Sequence, residues 1–297
     1  MVGNMKGAQA TCPCPAFLSV IIEATDIEKW LPEGILYNAM IHPFMVGPIG
    51  LTGFVWYQGE ADVMASGPEA AKKYSRDFPQ LIQSWRRGFH APDAFFGFVQ
   101  LSTWCTGMPY ALAEFREAQM SVLEIDTKIG YATNVDHGDG CNIHPPDKQY
   151  CGTRLARSAL AVEYGQNIQW KSPSYSKAKV IEGENSKGLS VVIELQDVSE
   201  KGLYLLKVPH NHRPMKEYDC NARAEGNCVG AMMKIEGKDW VEAAVSIRDG
   251  HDVVFSSSHV PETDKIVATR YGWGAVPMMT LYDADTNLPV LPWNEEL

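Results

Sequence analysis

The sequence predicts an α/β domain built on a parallel sheet, followed by a small β-sandwich. Three observations predict it. Between residues 35 and 172, short apolar runs bounded by glycine alternate with longer stretches of helical periodicity. That alternation implies parallel strands joined by right-handed crossovers. After about residue 172 the helical periodicity stops, and six short β-rich runs follow, separated by turn residues. Two dense polar stretches, Gln58-Gly59-Glu60 and residues 136–144, each come directly after a strand run. In open α/β sheets that edge is where ligands bind.

Residues 1–34 give no clear element; they hold Cys12-Pro13-Cys14-Pro15 and a short apolar run over 16–22. Residues 35–43 lead into the first strand, Gly53-Phe54-Val55-Trp56-Tyr57, which breaks abruptly into Gln58-Gly59-Glu60. A short apolar run bounded by glycine reads as a buried strand. Ser66 reads as the cap of a helix with Pro68 in its first turn. Tyr74, Phe78, Leu81, Ile82, Trp85 and Phe89 then fall at i, i+4, i+7, i+8, i+11 and i+15, one helix face. Pro79 lies inside this pattern and is expected to kink or restart the helix, because it lacks an N–H. Residues 94–101 read as a second strand. Residues 109–123 read as a helix with Leu112, Phe115 and Met120 inward, and 129–135 as the third strand. Pro145-Pro146-Asp147 opens a last helix, in which Leu155, Ala159 and Val162 recur at i, i+4 and i+7 and which Gly165 ends. Ser172-Pro173-Ser174 marks the boundary between an α/β domain, 35–172, and a β-sandwich domain, 173–297. The β-rich runs lie at 178–181, 189–193, 203–206, 240–245, 252–255 and 265–271.

Composition narrows the partners. Hydrophobic residues make up 45% of the 297 and charged residues 21%, enough to fill a sizeable core. The net charge is −10 with no basic block, which argues against nucleic acid or an anionic membrane as partner. No apolar run approaches the ~20 residues that span a bilayer. The run at 16–22 lacks the basic flank and cleavage site of a signal peptide. Seven cysteines (Cys12, Cys14, Cys105, Cys141, Cys151, Cys220 and Cys228) form no CxxC pair; Cys12/Cys14 and Cys220/Cys228 read as redox pairs or free thiols.

His144 is the candidate for proton transfer, because imidazole titrates near neutral pH and serves as base and then acid. Topology places the exits of strands one and three on one sheet edge, so His144 is expected to face Glu60. Glu60 can orient the imidazole as the acid of a triad does. The Gln58 amide and the Gly59 backbone N–H can donate to an oxyanion, glycine having no Cβ to block the approach. The plainer alternative is a polar turn after a strand. Acyl transfer further requires an activated serine or cysteine. Asp136, His137, Asp139, Cys141 and His144 also offer mixed O, N and S donors. Their spacing matches no zinc signature and suits no one metal, so no metal site is expected. His210-x-His212 reads as a solvated turn.

Several blocks resemble a known family. They are Leu36-Tyr37-Asn38-Ala39-Met40-Ile41-His42-Pro43, Val55-Trp56-Tyr57-Gln58-Gly59-Glu60, Arg116-Glu117-Ala118-Gln119 and Asn142-Ile143-His144-Pro145-Pro146-Asp147-Lys148-Gln149. Arg270-Tyr271-Gly272-Trp273, Pro277, Leu281-Tyr282 and Leu288-Pro289-Val290-Leu291-Pro292 follow in the same order. Together they resemble the sialate O-acetylesterase family of SGNH hydrolases, over residues 35–293. The resemblance implies an SGNH-type, flavodoxin-like three-layer domain with a β-rich appendage. It implies hydrolysis of O-acetyl esters on sialic acid or related glycans, without a metal or organic cofactor, and a secreted or lysosomal location.

Carried over by position, the resemblance implies that His144 is the catalytic histidine and that Gln58 contributes to the oxyanion hole within the Gln58-Gly59-Glu60 block. Many SGNH enzymes place an aspartate three residues before the histidine; Cys141 stands there in this chain. Glu60, Asp139, Asp136 or a backbone carbonyl remain as the acid partner, with Glu60 favoured. The family's nucleophile lies in a Gly-Gln-Ser-Asn-Met block well before Tyr-Asn-x-Met-Ile. No such block occurs here, and Val2-Gly3-Asn4-Met5 lacks the serine. The chain is therefore expected to correspond to the C-terminal part of an esterase, with an N-terminal companion segment carrying the nucleophile as partner and an unpaired sheet edge where a strand is missing. The other reading is a non-catalytic scaffold that binds carbohydrate or another partner.

Overall fold

A computed structural model describes residues 41–47, 50–105, 108–139, 142–182, 189–210, 227–258, 260, 261 and 263–297. The segment 1–34, with Cys12 and Cys14, lies outside them, as do Cys141, Cys220 and His212. The chain divides into two compact units. The first comprises Met1–Leu101, Tyr110–Asn134 and Lys148–Ile168; the second comprises Ser102–Pro109, Val135–Asp147 and Gln169–Leu297.

In the first unit, β1 (Gly53–Trp56), β2 (Phe95–Gln100) and β3 (Ile129–Thr133) form a parallel sheet in the order β1-β2-β3. Among the helices of this unit are α1 (Glu60–Ser66), α2 (Glu69–Gly88), α3 (Ala111–Met120) and α4 (Gln149–Val162). β2 is buried along its whole length, as a central parallel strand covered on both faces must be. One face packs aromatically on α2: Phe54 meets Trp85 at 5.4 Å and Phe98 meets Phe78 at 5.5 Å between ring centroids. On the other face, Val99 and Ala132 cluster with Cys151 and Leu155 of α4. α4 lies this close because Gly130 sits beneath it; a Cβ there would stand 2.9 Å from Ser158 Oγ. These are the three layers expected from the alternation of elements. On this face of β1, Val55 is 66% exposed, and among the described residues β1 pairs with β2 alone.

Two local expectations are corrected. Ser66 does not cap the long helix. It ends the short helix α1, and Gly67, at φ 54, returns its N–H to Val63 O at 2.8 Å and closes that turn. α2 then starts after Pro68. Nor does Pro79 restart the helix, since α2 runs through it for 20 residues. The apolar face explains this. Phe78, Leu81 and Ile82 on either side of Pro79 are fully buried. At about 1.5–3 kcal/mol for each buried side chain, they outweigh the ~3 kcal/mol an internal proline costs.

The second unit carries β4 (Ser174–Glu182), β5 (Leu189–Gln196), β6 (Leu203–Leu205), β7 (Asn227–Val229), β8 (Ala231–Ile235) and β9 (Trp240–Glu242). It continues with β10 (Ala244–Arg248), β11 (Asp252–Ser256), β12 (Ile266–Tyr271), β13 (Val276–Pro277), β14 (Leu281–Asp283) and β15 (Trp293–Glu296). Two antiparallel sheets, β10-β11-β5-β4 and β15-β12-β8-β9, share one core. Val191, Ile193, Val253 and Phe255 enter it from the first sheet, and Met233, Ile235, Ile266, Tyr271 and Trp293 from the second. Phe255 stacks on Trp293 across it at 5.6 Å. All six β-rich runs form strands. The run 240–245 divides, because β9 pairs with β8 while β10 pairs with β11. The chain changes sheet at Ala243, whose N–H reaches Ala231 O at 2.9 Å. Cys105 and Cys228 are each disulfide-bonded, so Cys228 is not a free thiol, whereas Cys151 is buried and free.

The aromatic face of α2 sets the stability of the first unit. Phe78→Ala is expected to lose about 3–5 kcal/mol in urea unfolding, as a fully buried phenylalanine does. A loss below about 1 kcal/mol would show that this face is not the core.

Candidate active site

One group of candidate residues lies at the exit of β1. Trp56 is anchored by Nε1 donating to Tyr74 Oη at 3.1 Å. Two residues on, Gln58 is 1% exposed and Gly59 is buried. Gly59 takes φ 150, and a Cβ on it would lie 2.3 Å from Phe115 Cε1. Only glycine allows the chain to turn here under the α3 ring. α1 starts at once, with Glu60 and Asp62 in its first turn, where the helix dipole favours negative charge.

Polar side chains from α3 hold this turn. Arg116 and Gln119 are buried, and both reach back to strand ends. Arg116 Nε donates to Leu101 O at 2.8 Å. Gln119 Oε1 accepts the Leu101 N–H at 3.0 Å, while Gln119 Nε2 donates to Val99 O at 3.1 Å and Gln58 O at 3.4 Å. Parallel strands that stop inside a protein leave backbone groups without ladder partners. These two side chains supply them. The sequence reading put the apolar residues of this helix inward, and Leu112 and Phe115 are indeed buried, while Met120 is half-buried. It did not foresee that Arg116 and Gln119 are inward too.

The carboxylates of α1 are electrostatically unusual. Burial pushes Glu60 up to about 7, against its backbone N–H and the nearby Lys148 and Arg116 charges, which pull it down, with Asp62 adding to the rise. Burial likewise raises Asp62 to about 6, opposed by the hydrogen bond from Gln58 Nε2 to its Oδ2. A carboxylate poised near neutrality can exchange a proton during turnover. Lys148, at the start of α4, lies 4.8 Å over the Tyr57 ring on the same strand exit. Gln58 Oε1 and both side-chain polar atoms of Asn134, just after β3, are among the buried polar atoms without a partner in the described residues. Reading the exit of β3 as closely as that of β1 would have found Asn134.

A second group of candidate residues lies in the loop 135–147, which belongs to the second unit. Asp136 is fully buried and accepts Tyr282 Oη–H at 3.0 Å, with His137 Nε2 3.4 Å away. His137 stacks on His210 at 5.2 Å. The His137 carbonyl accepts the Thr103 N–H at 3.1 Å. Asp139 and Asn142 close a turn, with the Asn142 N–H on Asp139 O at 2.9 Å and Asn142 Nδ2 on Asp139 Oδ2 at 3.2 Å. Asn142 Oδ1 in turn accepts the His144 N–H at 3.0 Å. His144 itself is exposed. Of the acids considered for it, Asp136 is engaged by Tyr282 and Asp139 by Asn142, while Glu60 lies in the first unit with Gln58 and Gly59. Among the described residues no group of three or more His, Cys, Asp or Glu is placed to hold a metal ion. No helix among them is long and apolar enough to cross a membrane.

The parallel three-layer sheet with this polar strand exit defines an α/β domain of the SGNH type. Residues 17–161 match the family profile "carbohydrate esterase, sialic acid-specific acetylesterase". That match covers just under half of the 297 residues, and over it the chain is similar to the sialate O-acetylesterase family. It is 27% identical to the sialate O-acetylesterase of Mus musculus over 321 aligned residues, covering 99% of this chain and 52% of that protein. It is 25% identical to that of Homo sapiens over 285 residues, 88% of this chain and 48% of the relative. A solved carbohydrate acetylesterase from Xanthomonas citri superposes with a TM-score of 0.67 at 28% identity, covering 88% of this chain and 53% of that one. The chain thus spans about half the length of the relatives it matches.

Burying Glu60 has a cost that depends on pH. Its folded pKa of about 7 lies above the ordinary 4.5, so folding takes up a proton between those values and stability falls as pH rises through them. Glu60→Gln is expected to be more stable than the parent at pH 8 by about 2 kcal/mol, with the gap closing toward pH 4. Thermal melts across that range check it; a variant less stable than the parent at pH 8 would contradict the assigned cause.

Proposed function

We propose that the protein is a carbohydrate O-acetylesterase, hydrolysing O-acetyl esters on sialic acid or a related glycan by serine–histidine acyl transfer. The family match across residues 17–161, together with the buried Gln58-Gly59-Glu60 turn at the exit of β1, carries this reading. His144 takes the proton of the attacking serine hydroxyl as that oxygen bonds to the acetyl carbon. The Gly59 N–H and the Gln58 amide meet the developing oxyanion. His144 then returns the proton to the departing sugar oxygen, and water releases acetate by the same two steps. Glu60, raised to about 7 by burial, is the acid of the Gln58-Gly59-Glu60 turn that can exchange a proton. The serine comes from an N-terminal companion segment bearing the Gly-Gln-Ser-Asn-Met block, since the 297 residues contain none.

Acetate release from O-acetylated N-acetylneuraminic acid and from a chromogenic acetyl ester tests the reading, with the chain alone and with such a segment. Release is expected to fall by about 10²–10⁴-fold in His144→Ala, the range for loss of a general acid–base. Release that survives in that variant would overturn the role of His144. A folded chain that binds the sugar but releases no acetate under either condition would leave the binding scaffold as the function.

A further inference from the structure

The pair formed by Gln58 and Asp62 goes beyond this reading while resting on its assignment of Gln58 to the site. We propose that Asp62 is a positioning residue whose carboxylate fixes the side-chain amide of Gln58 in one orientation at the exit of β1.

Three features of the pair carry this. Gln58 Nε2 donates to Asp62 Oδ2, four residues on, across the Gly59 turn. An ionised carboxylate only accepts hydrogen bonds, so the amide must present its NH2 end to it. The flipped amide would set two acceptor oxygens against each other. Next, Gln58 is 1% exposed and its backbone carbonyl is held by Gln119, so neither solvent nor a shift of the main chain can take over the role of Asp62. Finally, Gln58 Oε1 is buried without a partner among the described residues. The orientation is therefore not set from the oxygen end. Among the described residues, Asp62 alone distinguishes the two ends of an amide whose N–H the proposed chemistry needs.

The surroundings give the device a pH dependence. Glu60 shares the first turn of α1 with Asp62. Lys73, Tyr74 and Asp77 face them from α2, Arg116 faces Glu60 from α3, and Lys148 faces it from the start of α4. Lys73 and the Gln58 N–H favour the Asp62 anion; burial and Asp77 oppose it, and the balance lies at about 6. Above that value the amide is locked. Below it, Asp62 carries a proton and can donate to Oε1 as well as accept from Nε2, so both orientations become available.

Side-chain amide resonances of ¹⁵N-glutamine-labelled protein, assigned with Gln58→Leu, read this directly. The Gln58 NH2 signal is expected to titrate with a midpoint near 6 in the parent, to keep that midpoint in Glu60→Gln, and to lose it in Asp62→Asn. A signal flat between about pH 4.5 and 7.5 in the parent, or an unchanged titration in Asp62→Asn, would overturn the proposal. The parent and Glu60→Gln spectra decide it even if Asp62→Asn fails to fold. Absence of acetate release at every pH would overturn the esterase reading alone, since the resonance reports the pair whether or not the chain turns over substrate.

Discussion

The exit of β1 depends on two buried polar side chains of α3. A parallel sheet that ends inside a protein leaves N–H and C=O groups without ladder partners, and each unsatisfied group costs about 1–3 kcal/mol. Arg116 and Gln119 satisfy Leu101, Val99 and Gln58 at once. They tie β2 to the residue that begins the Gln58-Gly59-Glu60 turn. The Phe115 ring, next to Arg116 in sequence, forbids any side chain at Gly59. One turn of α3 thus determines both where the strand stops and how sharply the chain turns into α1.

Having turned, the chain places two carboxylates where water is scarce. A folding domain gains nothing from raising Glu60 to about 7 and Asp62 to about 6. The cost falls on stability at neutral and alkaline pH, and the helix dipole and nearby cations recover only part of it. Strained electrostatics of this kind gather at sites that move protons or bind polar ligands. The loop 135–147 shows the opposite treatment. Asp136 is buried but engaged by Tyr282, and Asn142 fixes the backbone at His144, so the loop is braced while the imidazole itself is exposed.

Much of this was legible in the sequence. Short apolar runs mark β1 and β2, and the spacing from Tyr74 to Trp85 marks the buried face of α2, because apolar periodicity reports burial directly. What escaped were features that polarity hides. Arg116 and Gln119 sit at helical spacing with Phe115 and Leu112, yet their polar ends place them outside any apolar pattern. β8 was missed because Ala231, Met232, Met233 and Lys234 lack the β-branched signature of a strand, although its burial alternates strictly. The run 240–245 read as one strand because nothing in its composition marks the change of sheet at Ala243. Pro79 does not restart α2, because packing that the sequence shows only in aggregate outweighs its local cost.

Hydrogen–deuterium exchange on Gln119→Leu tests the dependence of the strand exit on α3 most directly. The Leu101 amide, which donates to Gln119 Oε1, is expected to lose protection together with residues 58–60, while β5 and β11 keep theirs. Unchanged protection at Leu101 and residues 58–60, or equal loosening of the sandwich, would contradict the account.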